Sequence, residues 1–127
     1  MSTAITRGVR VDVVPHYHPN RSDPLRGYWF FSYQVTLTNL GDVAVQLVSR
    51  HWIITDSSGQ EEHVRGPGVV GETPKLLPGE SFHYASACPL GTSMGSMHGS
   101  FQMLTSEGEK FDATVAPFVL SDPLDMN

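Results

Sequence analysis

Between Arg26 and Asp56 the chain alternates apolar and polar side chains over two long stretches. In the first, Trp29, Phe31, Tyr33, Val35 and Leu37 share one parity, while Ser32, Gln34, Thr36 and Thr38 hold the other. A repeat of two over that length predicts a β-strand with one face in a core and the other in water, so Gln34 and Thr36 should be solvated. In the second, Val43, Val45 and Leu47 hold one parity, and Trp52 and Ile54 hold the other. The switch falls around Val48, Ser49 and Arg50. One extra residue there would re-aim the later side chains, so a β-bulge is predicted. Asn39, Leu40, Gly41 and Asp42 form the tight turn expected to join the two strands as a hairpin.

The same alternation marks the other strands. Ile5 to Val14 reads as one strand, with Val9, Val11 and Val13 inward and Pro15 as its stop. His16 to Gly27 reads as a surface loop, and Gln60 to Arg65 as a short polar edge strand. Gly66 to Gly79 holds three prolines and no usable period. Glu80 to Ala87, Met97 to Thr105 and Lys110 to Leu120 alternate again, with Phe82, Tyr84, Phe101, Met103, Phe111, Ala113 and Val115 on their apolar faces. Cys88 to Gly95 reads as loop, and Pro117 makes the end of the last strand an edge. No stretch keeps a helical period. About seven short antiparallel strands divided by Gly, Pro, Asn and Asp predict an all-β sandwich or barrel, and Trp52 in a central strand favours the sandwich. The expected organisation is a single domain over 1–127, with 1–4 and 121–127 flexible. Phe31, Tyr33, Val35, Leu37, Trp52 and Val115 are its expected core.

Composition narrows the function. Twelve glycines and nine prolines suit turns and short strands. A formal charge of −5 argues against non-specific nucleic-acid or anionic-membrane binding, which need a basic face. The single Cys88 forms no internal disulfide and suits a reducing compartment. No apolar run approaches the roughly 20 residues of a membrane span, and the N-terminal residues lack the apolar core of a signal peptide. A cytoplasmic protein without membrane contact is expected.

Candidate chemistry is sparse. Gly66, Gly68 and Gly71 complete a G-x-G-x-x-G string, but Glu72, Thr73 and Pro74 follow, and Pro78-Gly79 closes the segment. A dinucleotide fingerprint needs a helix opening at its end, so that reading fails. The string then serves a β-β connection that needs positive φ, or forms an anion nest of backbone N–H groups, with Arg65 and Lys75 nearby in sequence. Val69 and Val70 discriminate: exposed they anchor another chain, buried they plug the sandwich, and at least one is expected to be buried. His16 and His18 form an H-x-H pair, but His51, His63, His83 and His98 are scattered, so no third metal ligand stands at diagnostic spacing. Arg50 and His51 read as structural partners of the sheet. Cys88 has no CxxC partner, and no nucleophile motif or P-loop occurs. Tyr28 and Phe30, on the polar parity of their strand, are expected to form an exposed apolar patch.

Four segments carry a resemblance: Tyr28 to Gly41 (YWFFSYQVTLTNLG), Val45 to Gly59 (VQLVSRHWIITDSSG), Val64 to Gly79 (VRGPGVVGETPKLLPG) and Met97 to Met103 (MHGSFQM). Together, in order and with compact spacing, they resemble the ApaG family. The resemblance implies an immunoglobulin- or fibronectin III-like sandwich. Such domains stand alone in bacteria or are fused to other modules in eukaryotes, including F-box proteins and a polymerase-interacting protein. That usage implies a non-enzymatic binding or adaptor role, without a cofactor. Cobalt resistance and magnesium efflux are family associations, and the family pattern does not depend on a metal pair at His16 and His18. A protein partner is the expected ligand, with the chain a monomer or weak homodimer. The alternatives are weak phosphate or pyrophosphate binding by Arg65, Gly66, Gly68, Val69, Val70, Gly71 and Lys75, and a divalent-metal response.

Overall fold

Strands whose apolar parity must leave water assemble into two antiparallel sheets facing each other across one core. The computed structural model describes residues 1–126. β1 (Ser2–Thr6), β2 (Val9–Tyr17), β3 (Trp29–Asn39) and β7 (Ser81–Leu90) make one sheet, in the order β1-β2-β3-β7. β5 (Glu61–Pro67), β4 (Val45–Asp56), β8 (Met94–Thr105) and β9 (Lys110–Ser121) make the other, in the order β5-β4-β8-β9. The two-residue β6 (Lys75–Leu76) pairs with the start of β4. The all-β sandwich is as expected, with nine strands among the described residues rather than about seven. No helix among them is long and apolar enough to cross a membrane.

All six expected core residues are buried. Trp52 sits at the centre, its ring 5.2 Å from Tyr33 and edge-on to Phe101 and Phe118 at 5.8 and 6.0 Å. Gln34 is exposed, while Thr36 is half-buried, its Oγ1 3.0 Å from His83 Nδ1. The bulge is where the parity switch put it. Pairing of β4 with β8 slips between Leu47 and Ser49, so Val48 is the extra residue. A second slip, with Met97 opposite Phe118 and Gly99 opposite Val115, leaves Ala116 and Pro117 bulged from β9. A proline is tolerated there because the bulge leaves a residue unpaired.

Other expectations are corrected. β3 and β4 do not form a hairpin; they lie in different sheets, and the turn between them crosses the core. Buried Asn39 organises that crossing. Its Nδ2 donates to the carbonyls of Val43 (2.8 Å) and Leu76 (3.0 Å), and its Oδ1 accepts from the Gly41 amide. Alternation states which face is buried but not whether the next strand lies beside or opposite. The segment Ile5 to Val14 is a hairpin, not one strand. Arg7 and Gly8 turn it with φ of 47° and 81°, the paired positive values of a tight two-residue turn. Pro15 does not end β2. β1 pairs only as far as Val13, and Pro15 faces Tyr33 between hydrogen-bonded pairs, so its missing N–H falls on a side with no partner. Part of the expected loop from Cys88 is strand, with Cys88 paired to Phe31. At the C-terminal end the buried Asp122 donates its N–H to Ser93 O at 3.0 Å, and Pro123–Met126 form a 3-10 turn. Asn127 lies outside the described residues.

The two sheets close on one side and stay open on the other. β1 and β9 meet, the Thr114 amide donating to Thr6 Oγ1 at 3.1 Å. β7 and β5 are the opposite edges, and the gap between them is the open side. Trp52→Ala is expected to cost about 3–5 kcal/mol in chemical denaturation, because three aromatic neighbours lose their contact at once. A loss well under about 1 kcal/mol would show that Trp52 does not hold the sheets together.

Candidate functional site

The chain leaves β5 at Pro67 and makes a tight reversal before β6. Val69 and Glu72 exchange both backbone bonds, at 2.8 and 2.9 Å. Val70 and Gly71 between them have φ of 44° and 80°. Two positive φ values make this a type I′ turn, whose positions favour Asn and Gly. A β-branched residue there is an outlier, and left-handed backbone costs an L-residue about 1–2 kcal/mol. Val69 is buried at 1% and plugs the core, whereas Val70 is 56% exposed at the tip. The expectation of at least one buried valine is met.

Each glycine of the string has its own steric reason. A Cβ on Gly68 would lie 2.3 Å from Glu72 O, inside the turn. A Cβ on Gly66 would meet the Arg50 guanidinium at 3.0 Å. Gly71 supplies the second positive φ. The Gly68 amide donates to Val48 O at 2.8 Å, so the turn is tied to the bulge of β4. Arg50 Nη1 donates to the carbonyls of Pro67 and Gly68, both at 2.9 Å. What converges on the charged group beside this loop is therefore a pair of carbonyls. The amides of Gly68 and Val69 are used internally; those of Val70 and Gly71 have no partner among the described residues. Arg65 stands opposite His51 and Lys75 opposite Gln46, about 16 Å apart along β4. The two cations are thus separated, and Arg50 is the one at the loop. Sequence spacing hid it, because the bulge and the β4-β5 register decide where Arg50 points.

His18 Nε2 lies 2.6 Å from Ser32 Oγ, and no group of three metal-ligating side chains exists among the described residues. The histidines are not all scattered. His51 Nε2 is 2.9 Å from His63 Nδ1, and His63 Nε2 is 2.8 Å from Glu61 Oε1, a chain across the outer face of β4 and β5. With Glu61 accepting from His63, His63 accepts from His51. Loss of hydration, then Arg65, His63 and His98, hold the His51 pKa below its ordinary value. Cys88 is buried, and burial, then the nearby Glu62, push its thiol up to about 11. Tyr84 has a buried hydroxyl with no hydrogen bond among the described residues, and burial raises its pKa. Phe30 is not part of an exposed patch. It is buried, with Arg21 stacked 3.9 Å from its ring centroid, and only Tyr28 keeps an exposed face. None of these groups pairs a nucleophile with a base.

A family model described as the ApaG domain matches residues 19–105, a span that holds the turn, Arg50 and Trp52. The chain belongs to the ApaG family. The protein ApaG of Anaeromyxobacter dehalogenans (strain 2CP-C) is 50% identical over 127 residues, 100% of both chains. The protein ApaG of Bradyrhizobium sp. (strain ORS 278) is 50% identical over 123 residues, 97% of this chain and 95% of that one. A crystal structure of the ApaA protein of Bordetella pertussis superposes with a TM-score of 0.89 at 44% identity, covering 91% of this chain and 94% of that one. The ApaG fold is thus the sandwich built above, with the glycine turn inside the matched region.

Two measurements follow from these environments. With its pKa near 11, Cys88 should react with a thiol reagent at pH 8 at least about 100-fold more slowly than free cysteine until denaturant is added. Prompt labelling of the folded chain would contradict the burial. His51 should titrate below 6.5 in an NMR pH series. Its folded pKa is lowered, so its share of stability is present above 6.5 and is lost as pH falls through the folded value. A midpoint at or above 6.5 would refute this.

Proposed function

We propose that this ApaG-family chain is a non-enzymatic binding module that holds a protein partner on the open side of the sandwich. The observation that carries the reading is Val70, an apolar β-branched side chain presented to water from strained backbone. Asn or Gly would relieve that strain, so the valine is costly to the isolated fold. A contact outside the chain accounts for the cost. The bulge supports the same reading, since Val48, 43% exposed, is hydrogen-bonded through its carbonyl to the turn. Arg50 fixes the turn against β4, its Nη1 donating to the carbonyls of Pro67 and Gly68. The only cysteine is a buried, protonated thiol, which supports binding rather than nucleophilic chemistry.

A second reading, phosphate or pyrophosphate at Gly66–Gly71 with Arg65 or Lys75, draws support from the two unpartnered amides of Val70 and Gly71. One variant separates the two. Val70→Asn should stabilise the fold by about 1 kcal/mol. It should also lose proteins that the wild-type chain retains from a bacterial lysate and then binds saturably when they are purified. Equal retention by both chains, with salt-sensitive saturation of the Val70 and Gly71 amide shifts by pyrophosphate, would replace the first reading with the second.

A further inference from the structure

The four sheet edges are treated unequally. β1 is five residues long and packs against β9, whose outer run is broken by the bulged Pro117. β5 carries Glu61, Glu62, His63 and Arg65. Short length, proline, bulges and charge are the devices that keep an edge from recruiting a strand. β7 has almost none of them. It runs ten residues, SFHYASACPL, with no acidic or basic side chain but His83 and one proline near its end.

The direction of its backbone groups follows from the register. The Asn39 amide donates to Glu80 O, so positions 39 and 80 form a hydrogen-bonded pair. Antiparallel pairs alternate, so Phe82, Tyr84, Ser86, Cys88 and Leu90 spend their backbone groups on β3. Ser81, His83, Ala85 and Ala87 turn theirs outward, and Pro89, with no N–H to give, falls in the same outward set. The outward residues are all exposed and mostly small, which leaves room for another backbone. On the inner parity, the half-buried rings of Phe82 and Tyr84 face the open side of the sandwich. A strand added here would cover them with alternate apolar side chains.

Charge selects the occupant. At the Leu90 end of β7 a cleft is lined by Asp56, Glu61, Glu62, Pro89 and Leu90. Glu62 has no ion pair among the described residues. A second copy of this chain would bring another −5 to that edge, whereas a basic segment is attracted to it. We propose that β7 receives an extended, basic segment of a partner protein as an added antiparallel strand, its positive N-terminal end at Glu61 and Glu62 and its apolar residues over Phe82 and Tyr84. The inference rests on the protein-binding reading above and names the partner's chemistry.

The test uses the full chain and an acetylated, amidated peptide reading Lys-Lys-Val-Thr-Val-Thr-Val-Thr. Hydrogen exchange by NMR should slow about tenfold or more at Ser81, His83, Ala85 and Ala87 when the peptide is added. Ala85→Pro removes an outward amide without touching the β3 ladder, and it should abolish that protection. Should that variant fold poorly, the wild-type chain with a peptide N-methylated on the amides that face β7 gives the same comparison, and protection should again be lost. Replacing both lysines by glutamate should weaken binding about tenfold at low salt. No protection at β7 overturns the edge assignment. The protein-binding reading then stands or falls separately, on the Val70→Asn comparison. Equal binding of the lysine and glutamate peptides overturns the basic partner. Protection of β7 without peptide that grows with protein concentration overturns it as well, in favour of a second copy.

Discussion

One extra residue in β4 governs how this molecule is put together. Leu47 and Trp52 are five positions apart, an odd spacing, so a regular strand would point one of them to solvent. The bulge at Val48 lets both enter the core. It also releases the Val48 carbonyl to accept the Gly68 amide and aims Arg50 at the carbonyls of Pro67 and Gly68. Packing of the central tryptophan and placement of the glycine turn are therefore consequences of one local irregularity. Bulges near functional surfaces commonly re-aim side chains in this way.

The turn itself shows how a motif string can be right in composition and empty in its usual meaning. Gly66 is small because a guanidinium lies over it, Gly68 because a carbonyl does, and Gly71 because its backbone is left-handed. Each of the three has a reason inside the chain. The residue without such a reason is Val70, and its strain is tolerated in a fold that buries a large apolar layer elsewhere.

The open side of the sandwich joins this turn to the unprotected edge of β7. Where β1 and β9 meet, neither edge is available, and a charged β5 discourages pairing. The asymmetry leaves the outward backbone groups of β7 free on one flank. The aromatic cluster around Trp52 supplies a rigid frame behind that flank.

Alternation in the sequence determined the buried face of the long strands, Phe30 excepted, that the chain is an all-β sandwich, and even where β4 bulges, because each is a local consequence of a period of two. It did not determine partners. Whether β3 lies beside β4 or across from it depends on the Asn39 crossing, which is built with the distant Leu76 carbonyl. The same limit hid the Arg7-Gly8 hairpin, where alternation continues through a turn whose residues have the wrong φ for a strand. The glycine segment was legible as a loop of unusual backbone, yet Arg65 and Lys75, close in sequence, are held apart by the β4 register, while Arg50, remote in sequence, is brought in. His51 and His63 meet for the same reason. Local sequence sets the face that each residue presents; only the pairing of strands far apart in the chain sets what that face meets.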